Sequence, residues 1–182
     1  NRKNVRIALV TKSVLQDSNT YYAQGGIAAA KESSSIEKHI SATLSAGAGL
    51  CDEHTARERL APGYDCIQYL AAKGVPFDRD EKNIWQCGHE AGHSERRIYH
   101  VGDNTGKAIT LALLNQVKLT PQISIFENHA AINLMTQNNS LKPGQFPEVS
   151  GVYVLEEASG LIHTFLANAI VLETGGAGKV YR

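Results

Sequence analysis

The 182-residue chain has no excess charge of either sign: Lys+Arg is 18 and Asp+Glu is 18, a formal net charge of zero. Without a positive field there is no electrostatic basis for wrapping nucleic acid or an anionic membrane surface. No apolar run approaches the ~18–20 residues that cross a bilayer. No basic stretch leading into an apolar run opens the chain, so no secretory leader is expected. Cysteine is scarce. Cys51, Cys66 and Cys87 are odd in number and widely spaced, which fits a reducing, cytoplasmic setting better than a disulfide framework. Low-complexity tracts and internal repeats are missing. Hydrophobic residues at 42% and charged residues at 20% exclude long disorder and leave one domain, with room for a small second lobe.

What is present reads as an α/β order of elements. Val5–Thr11 (VRIALVT) is a continuous apolar run, expected to be a strand buried on both faces of a parallel sheet. Ile36, Ile40 and Leu44 place one apolar face on a helix over Ser34–Ala48. A second helical stretch runs over 52–72, broken at Pro62-Gly63 and stopped at Lys73-Gly74. Residues 75–102 mix Gly, His and charge and predict a loop with short β pieces. Asn104 or Thr105 is expected to cap a helix ending near Leu119, before Pro121. Ile123–Phe126 and Ala131–Met135 read as strands, 137–147 as a loop, and Val152–Leu155 with Ile162–Phe165 as a hairpin around Glu156–Gly160. Ala169–Leu172 reads as a last strand before the Thr174–Gly178 turn.

Four motifs carry chemistry. Ser18–Ile27 (SNTYYAQGGI) puts hydroxyl and amide side chains and a glycine pair near a helix start, where unpaired amides suit a pyrophosphate. An ordinary glycine-containing loop is the competing reading. Thr174–Lys179 (TGGAGK) is not a nucleotide-triphosphate loop, because Glu173 and Val180 stand where Gly and Ser/Thr are required. Its glycines still permit close backbone approach to a bound group. His89–His93 (HEAGH) matches H-E-x-x-H literally, which works as a zinc site only on a helix. Gly88 and Gly92 each cost about 1 kcal/mol of helix propensity relative to Ala, so no metal site is expected there. Glu90, His93, Arg96, Arg97 and His100 could receive a dicarboxylate, since guanidinium forks match carboxylates, or could form a solvated charged hairpin.

Together, residues 18–30 (SNTYYAQGGIAAA), 46–52 (AGAGLCD), 89–106 (HEAGHSERRIYHVGDNTG) and 171–181 (VLETGGAGKVY) resemble, in order and spacing, the L-aspartate oxidase family of the succinate dehydrogenase and fumarate reductase flavoproteins. The Gly-rich segments are shared across that superfamily, whereas Gly92–His100 is close to diagnostic for the oxidases. The resemblance implies a partial Rossmann-like FAD-binding domain, glutathione-reductase-like, with a β-meander. Residues 1–182 would be its central part, cut at both ends and without the capping domain. It implies FAD contacts at Lys12, at Asn19, Thr20, Tyr21, Tyr22, Ala23, Gln24, Gly25 and Gly26, at Ala130 and Ala131, and at Thr174 and Gly175. Asn19 stands where the dehydrogenases carry the histidine that attaches FAD, so the flavin would be non-covalent. Glu90 would orient the amino group of L-aspartate, and no catalytic residue would lie within this chain. His89 and Glu173 depart from the Arg and Ala common at those positions.

The implied activity is oxidation of L-aspartate to iminoaspartate with oxygen or fumarate as acceptor, the first step of NAD biosynthesis through quinolinate. Quinolinate synthase would be the downstream partner. A succinate- or fumarate-using flavoprotein is the alternative, and a zinc hydrolase a more distant one.

Overall fold

A computed structural model describes residues 5–137 and 146–176. In chain order the elements are β1 (Ile7–Val10), α1 (Asn19–Tyr22), β2 (Ile27–Ala28), α2 (Ser33–Ala46), α3 (Glu53–Leu60), α4 (Gly63–Ala72), β3 (Cys87–Gly88), β4 (Ile98–Tyr99), α5 (Thr105–Lys118), β5 (Ile123–Phe126), β6 (His129–Gln137), β7 (Glu148–Glu156) and β8 (Ile162–Leu166). The chain divides into two compact units. One is the continuous stretch 18–119, and the other combines the segments before and after it.

In the continuous unit, each helix boundary has a local cause. Asp52 caps α3 by accepting from the Thr55 amide at 2.7 Å, with Glu53 in the first turn and Arg57 and Arg59 in the last. That charge order complements the helix dipole. Pro62 separates α3 from α4, as expected from its missing N–H. Gly74 then takes a φ of +100°, the left-handed conformation that ends a helix without a Cβ penalty. Asn104 occupies the cap position of α5 but makes no side-chain cap bond. The expected cap is therefore positional only.

The core of this unit gathers Ala29, Ile67, Val75, Phe77, Tyr99 and Ile109. Fully burying a side chain such as Ile67 stabilises by about 2–3 kcal/mol. Tyr99 stacks edge-on to Trp85 at 5.8 Å and to Phe77 at 6.3 Å, so aromatic contacts hold the segment predicted as mostly loop. That segment contributes β3 and β4 to a three-stranded antiparallel sheet, ordered β2-β4-β3.

In the second unit, β1 pairs in parallel with β5, Ile7 opposite Ile123 and Val10 opposite Phe126. The strand is not buried on both faces: Val5 and Ile7 are 46% and 48% exposed. Continuous apolarity cannot distinguish a doubly covered strand from a partly exposed one, and here Ile7 and Ala8, on alternate faces, are both exposed while Leu9 and Val10 are half-buried. The strands β6, β7 and β8 form the expected antiparallel meander, with bulges in β6 between Ala131 and Asn133 and between Met135 and Thr136. The turn at Glu157–Gly160 closes because Gly160 adopts a φ of +70°. The expected strand at Ala169–Leu172 is not formed. Among the described residues it has no pairing neighbour, and Val171 is exposed. Most of the loop read over 137–147, and the Ala177-Gly178 end of the glycine turn, lie outside the described residues.

Candidate functional site

The site residues of the continuous unit are assembled by three close approaches. In the first, α1 is a single helical turn capped by Ser18, whose Oγ accepts from the Tyr21 amide at 3.2 Å. So short a helix contributes little dipole, and the anion-binding argument from a helix start loses most of its force. The turn is instead fixed by α5. The Gly106 amide donates to the Ala23 carbonyl at 3.1 Å. A Cβ on Gly106 would lie 1.8 Å from the Thr20 carbonyl oxygen, so only glycine fits.

The second approach sets the glycine pair. Thr105 Oγ1 accepts from the Val101 amide at 3.0 Å and donates to the Gly25 carbonyl at 2.5 Å. This hydroxyl is buried and used for tertiary bonding, which explains why it plays no part in capping. A Cβ on Gly26 would fall 2.5 Å from both Ile98 Cγ2 and the Tyr99 carbonyl oxygen, so glycine is needed for the chain to pass over β4.

The third approach joins the two motifs. A Cβ on Gly25 would come within 3.0 Å of Glu90 Oε1. The carboxylate of the HEAGH segment thus faces the glycine pair of the SNTYYAQGGI segment. Glu90 is exposed, and among the described residues its carboxylate has no hydrogen bond or ion pair. It is an acceptor open to a ligand donor.

The HEAGH segment itself is a turn. The His93 amide donates to the Glu90 carbonyl at 3.2 Å, and Gly92 has a φ of +86°. His89 and His93 therefore do not share a helix face, and the zinc reading lacks the geometry it requires. Among the described residues no group of three or more His, Cys, Asp or Glu side chains is placed to hold a metal ion.

The dicarboxylate reading of the neighbouring cations also changes. Arg97 is 2% exposed and turned inward, where Nη2 donates to Ser94 Oγ at 3.1 Å and pairs with Glu95 Oε2 at 3.5 Å. His100 Nδ1 lies 2.7 Å from Asp78 Oδ2, which also accepts from the Gly102 amide at 2.7 Å. The Gly102 amide, with help from His100, holds the Asp78 carboxyl below the usual range. Only Arg96 remains exposed, 3.4 Å from the Cys87 carbonyl. Burial pushes the Cys87 thiol up and the Tyr99 phenol further up, so both stay protonated at neutral pH. Cys87 is not an activated nucleophile.

Asn19, Thr20 and Tyr22–Gly26 are exposed, and Tyr21 is half-buried with Lys107 Nζ 5.8 Å from its ring centre. Lys12, Ala130, Ala131, Thr174 and Gly175 belong to the other unit. Lys12 follows β1, Ala130 and Ala131 open β6 opposite Leu155 and Val154, and Gly175 has a φ of +76°. Reading the sequence took Thr105 only as a helix-cap candidate and missed Gly106 and Asp78. The Thr105-Gly106 pair just after a helix cap was the available signal, since a small residue there permits close backbone contact.

The family model described as FAD binding domain matches residues 1–182. The chain belongs to the FAD binding domain family. This FAD binding domain is 40% identical over 177 residues to the L-aspartate oxidase of Acinetobacter baylyi, across 97% of this chain and 32% of that protein. It is 41% identical over 179 residues to L-aspartate oxidase 1 of Ralstonia nicotianae, across 97% of this chain and 33% of that protein. The quinol fumarate reductase of E. coli superposes with a TM-score of 0.89 at 27% identity, across all of this chain and 30% of that one.

These relatives agree with the resemblance read from the motifs, and the fold is that of the FAD-binding domain of the fumarate reductase flavoproteins. The chain spans about a third of the length of the curated relatives it matches. Family membership indicates FAD as the cofactor. The residues fit a dinucleotide: Asn19, Thr20 and Gln24 present exposed polar side chains, and Gly25 and Gly26 beside them are exposed backbone with no side chain to block a close approach. Among the described residues no helix is long and apolar enough to cross a membrane.

Proposed function

We propose that the whole protein is an FAD-dependent L-aspartate oxidase, converting L-aspartate to iminoaspartate. The observation that carries this reading is the free Glu90 carboxylate facing Gly25. An ammonium group supplies the charged donors such an acceptor lacks, and succinate, without an amino group, supplies none. FAD, when bound, supplies the two-electron acceptor that no side chain can provide.

The residues that would hold FAD are Lys12, Asn19 to Gly26, Ala130, Ala131, Thr174 and Gly175, in a Rossmann-like, glutathione-reductase-like arrangement. Residues 1–182 would be the central part of that domain. Asn19 has an amide where a covalent link needs an imidazole, so the flavin is held without a bond. Glu90 accepts hydrogen bonds from the substrate ammonium and orients its carbon for oxidation. Oxygen or fumarate would reoxidise the enzyme, in the cytoplasm, and quinolinate synthase would take the product.

The test is an anaerobic titration of the full-length protein, following its flavin absorption band. L-Aspartate bleaches the band and succinate leaves it unchanged if the reading holds. Bleaching by succinate alone would assign the protein to the succinate-oxidising relatives and remove the ammonium role of Glu90.

A further inference from the structure

Among the described residues Glu90 has no side-chain partner of its own, so its place against Gly25 depends on what anchors the turn that carries it. That turn is clamped to α2 at two successive points. The His93 ring packs on the His39 ring, centroids 5.5 Å apart, and His39 is buried. Glu95 accepts from Ser35 Oγ at 2.6 Å and pairs with Lys38 Nζ. Beneath them lies the Arg97 guanidinium, whose charge Glu95 also faces at 3.5 Å. Arg97 Nε and Nη1 have no hydrogen-bond partner among the described residues, so Glu95 carries most of its compensation. The link back to Glu90 is the bond from the His93 amide to the Glu90 carbonyl. A shift of the clamp therefore moves the Glu90 backbone.

We propose that Lys38, Glu95 and His93 are positioning residues that set where the Glu90 carboxylate meets the substrate ammonium. This rests on the reading that Glu90 receives that ammonium. Loosening the clamp leaves FAD and the substrate carboxylates in place and affects only recognition of the amino group. A misplaced charged hydrogen bond is weakened rather than lost, so the effect is smaller than that of removing the carboxylate.

The experiment uses the full-length holoenzyme and compares Glu95→Gln, Lys38→Met, Lys38→Arg and Glu90→Gln. Glu95→Gln risks the fold because it strips the counter-charge from buried Arg97. Lys38 is exposed, and Lys38→Met keeps the proposal testable if Glu95→Gln does not fold. The expected result is a rise of about 3–10-fold in KM for L-aspartate in Glu95→Gln and Lys38→Met, well below the rise in Glu90→Gln. The inhibition constant of succinate stays unchanged, and Lys38→Arg restores the native KM. An unchanged KM in the clamp variants, beside a raised KM in Glu90→Gln, overturns the clamp alone. An equal rise in the succinate constant shows a general structural role and also overturns it. An unchanged KM in Glu90→Gln overturns the ammonium reading and the clamp with it.

Discussion

The two compact units hold their motif residues by different means. In the 18–119 unit, contacts far apart in sequence converge on short, irregular segments: Thr105 reaches Gly25, Gly106 touches Ala23, and Glu95 reaches Ser35. In the other unit the frame is strand pairing, with Ile7–Val10 on Ile123–Phe126 and the three-stranded meander. A ladder spreads its strength over many equivalent bonds, so one side chain matters little. A convergent site concentrates it on single atoms, so small substitutions should matter most where the structure is least regular.

The strongest way to break this contrast is Gly106→Ala. The added methyl cannot coexist with the Thr20 carbonyl at 1.8 Å, and forcing α1 away from α5 costs about 3 kcal/mol. Thermal unfolding of the full-length protein should show a clear drop in melting temperature, with loss of bound flavin. Thr105→Val follows. It leaves the Gly25 carbonyl and the Val101 amide without their partner, at about 2 kcal/mol. Its signature is weaker flavin retention at a nearly native far-ultraviolet spectrum.

Phe165→Leu probes the meander. It removes the edge-on contact with Phe126 at 4.9 Å, worth about 1 kcal/mol, and should leave flavin content unchanged. A larger loss there than at Thr105 would invert the comparison.

The mildest probe is pH. Burial, then Arg97 and His93, hold the His39 pKa below its ordinary 6.5. The unfolded chain therefore takes up the proton first, so stability is full above 6.5 and declines as pH falls through the depressed value. The Glu95 carboxyl, held low first by Lys38 and then by Ser35, loses its contribution only in more acid solution. Melting curves between about pH 8 and 5.5 should show the decline, and His39→Gln should flatten it.

Much of this was legible in the sequence because periodicity and punctuation are local. Pro62 divides α3 from α4, and the meander follows from alternating strands around Glu156–Gly160. The Glu90 motif and the glycine pair were each visible, since their residue types are unusual. Their meeting was not, because no local pattern says that residue 25 faces residue 90. The inward turn of Arg97 was hidden for a related reason. An arginine next to an arginine reads as surface, yet Arg97 is buried together with Ile98 and Tyr99, and the Ser94 and Glu95 side chains that partner it are not marked by any local pattern. The Ala169–Leu172 run has a strand's composition, but a strand also needs a pairing neighbour, which composition does not supply.

The most direct test of the account is the Glu90→Gln variant of the full-length enzyme, assayed for L-aspartate turnover with succinate as inhibitor. Losing a charged hydrogen bond to the ammonium should raise KM for L-aspartate about 10–100-fold. Succinate inhibition should stay as it was. If KM for L-aspartate is unchanged, or succinate binding weakens equally, the carboxylate facing Gly25 is not the ammonium site.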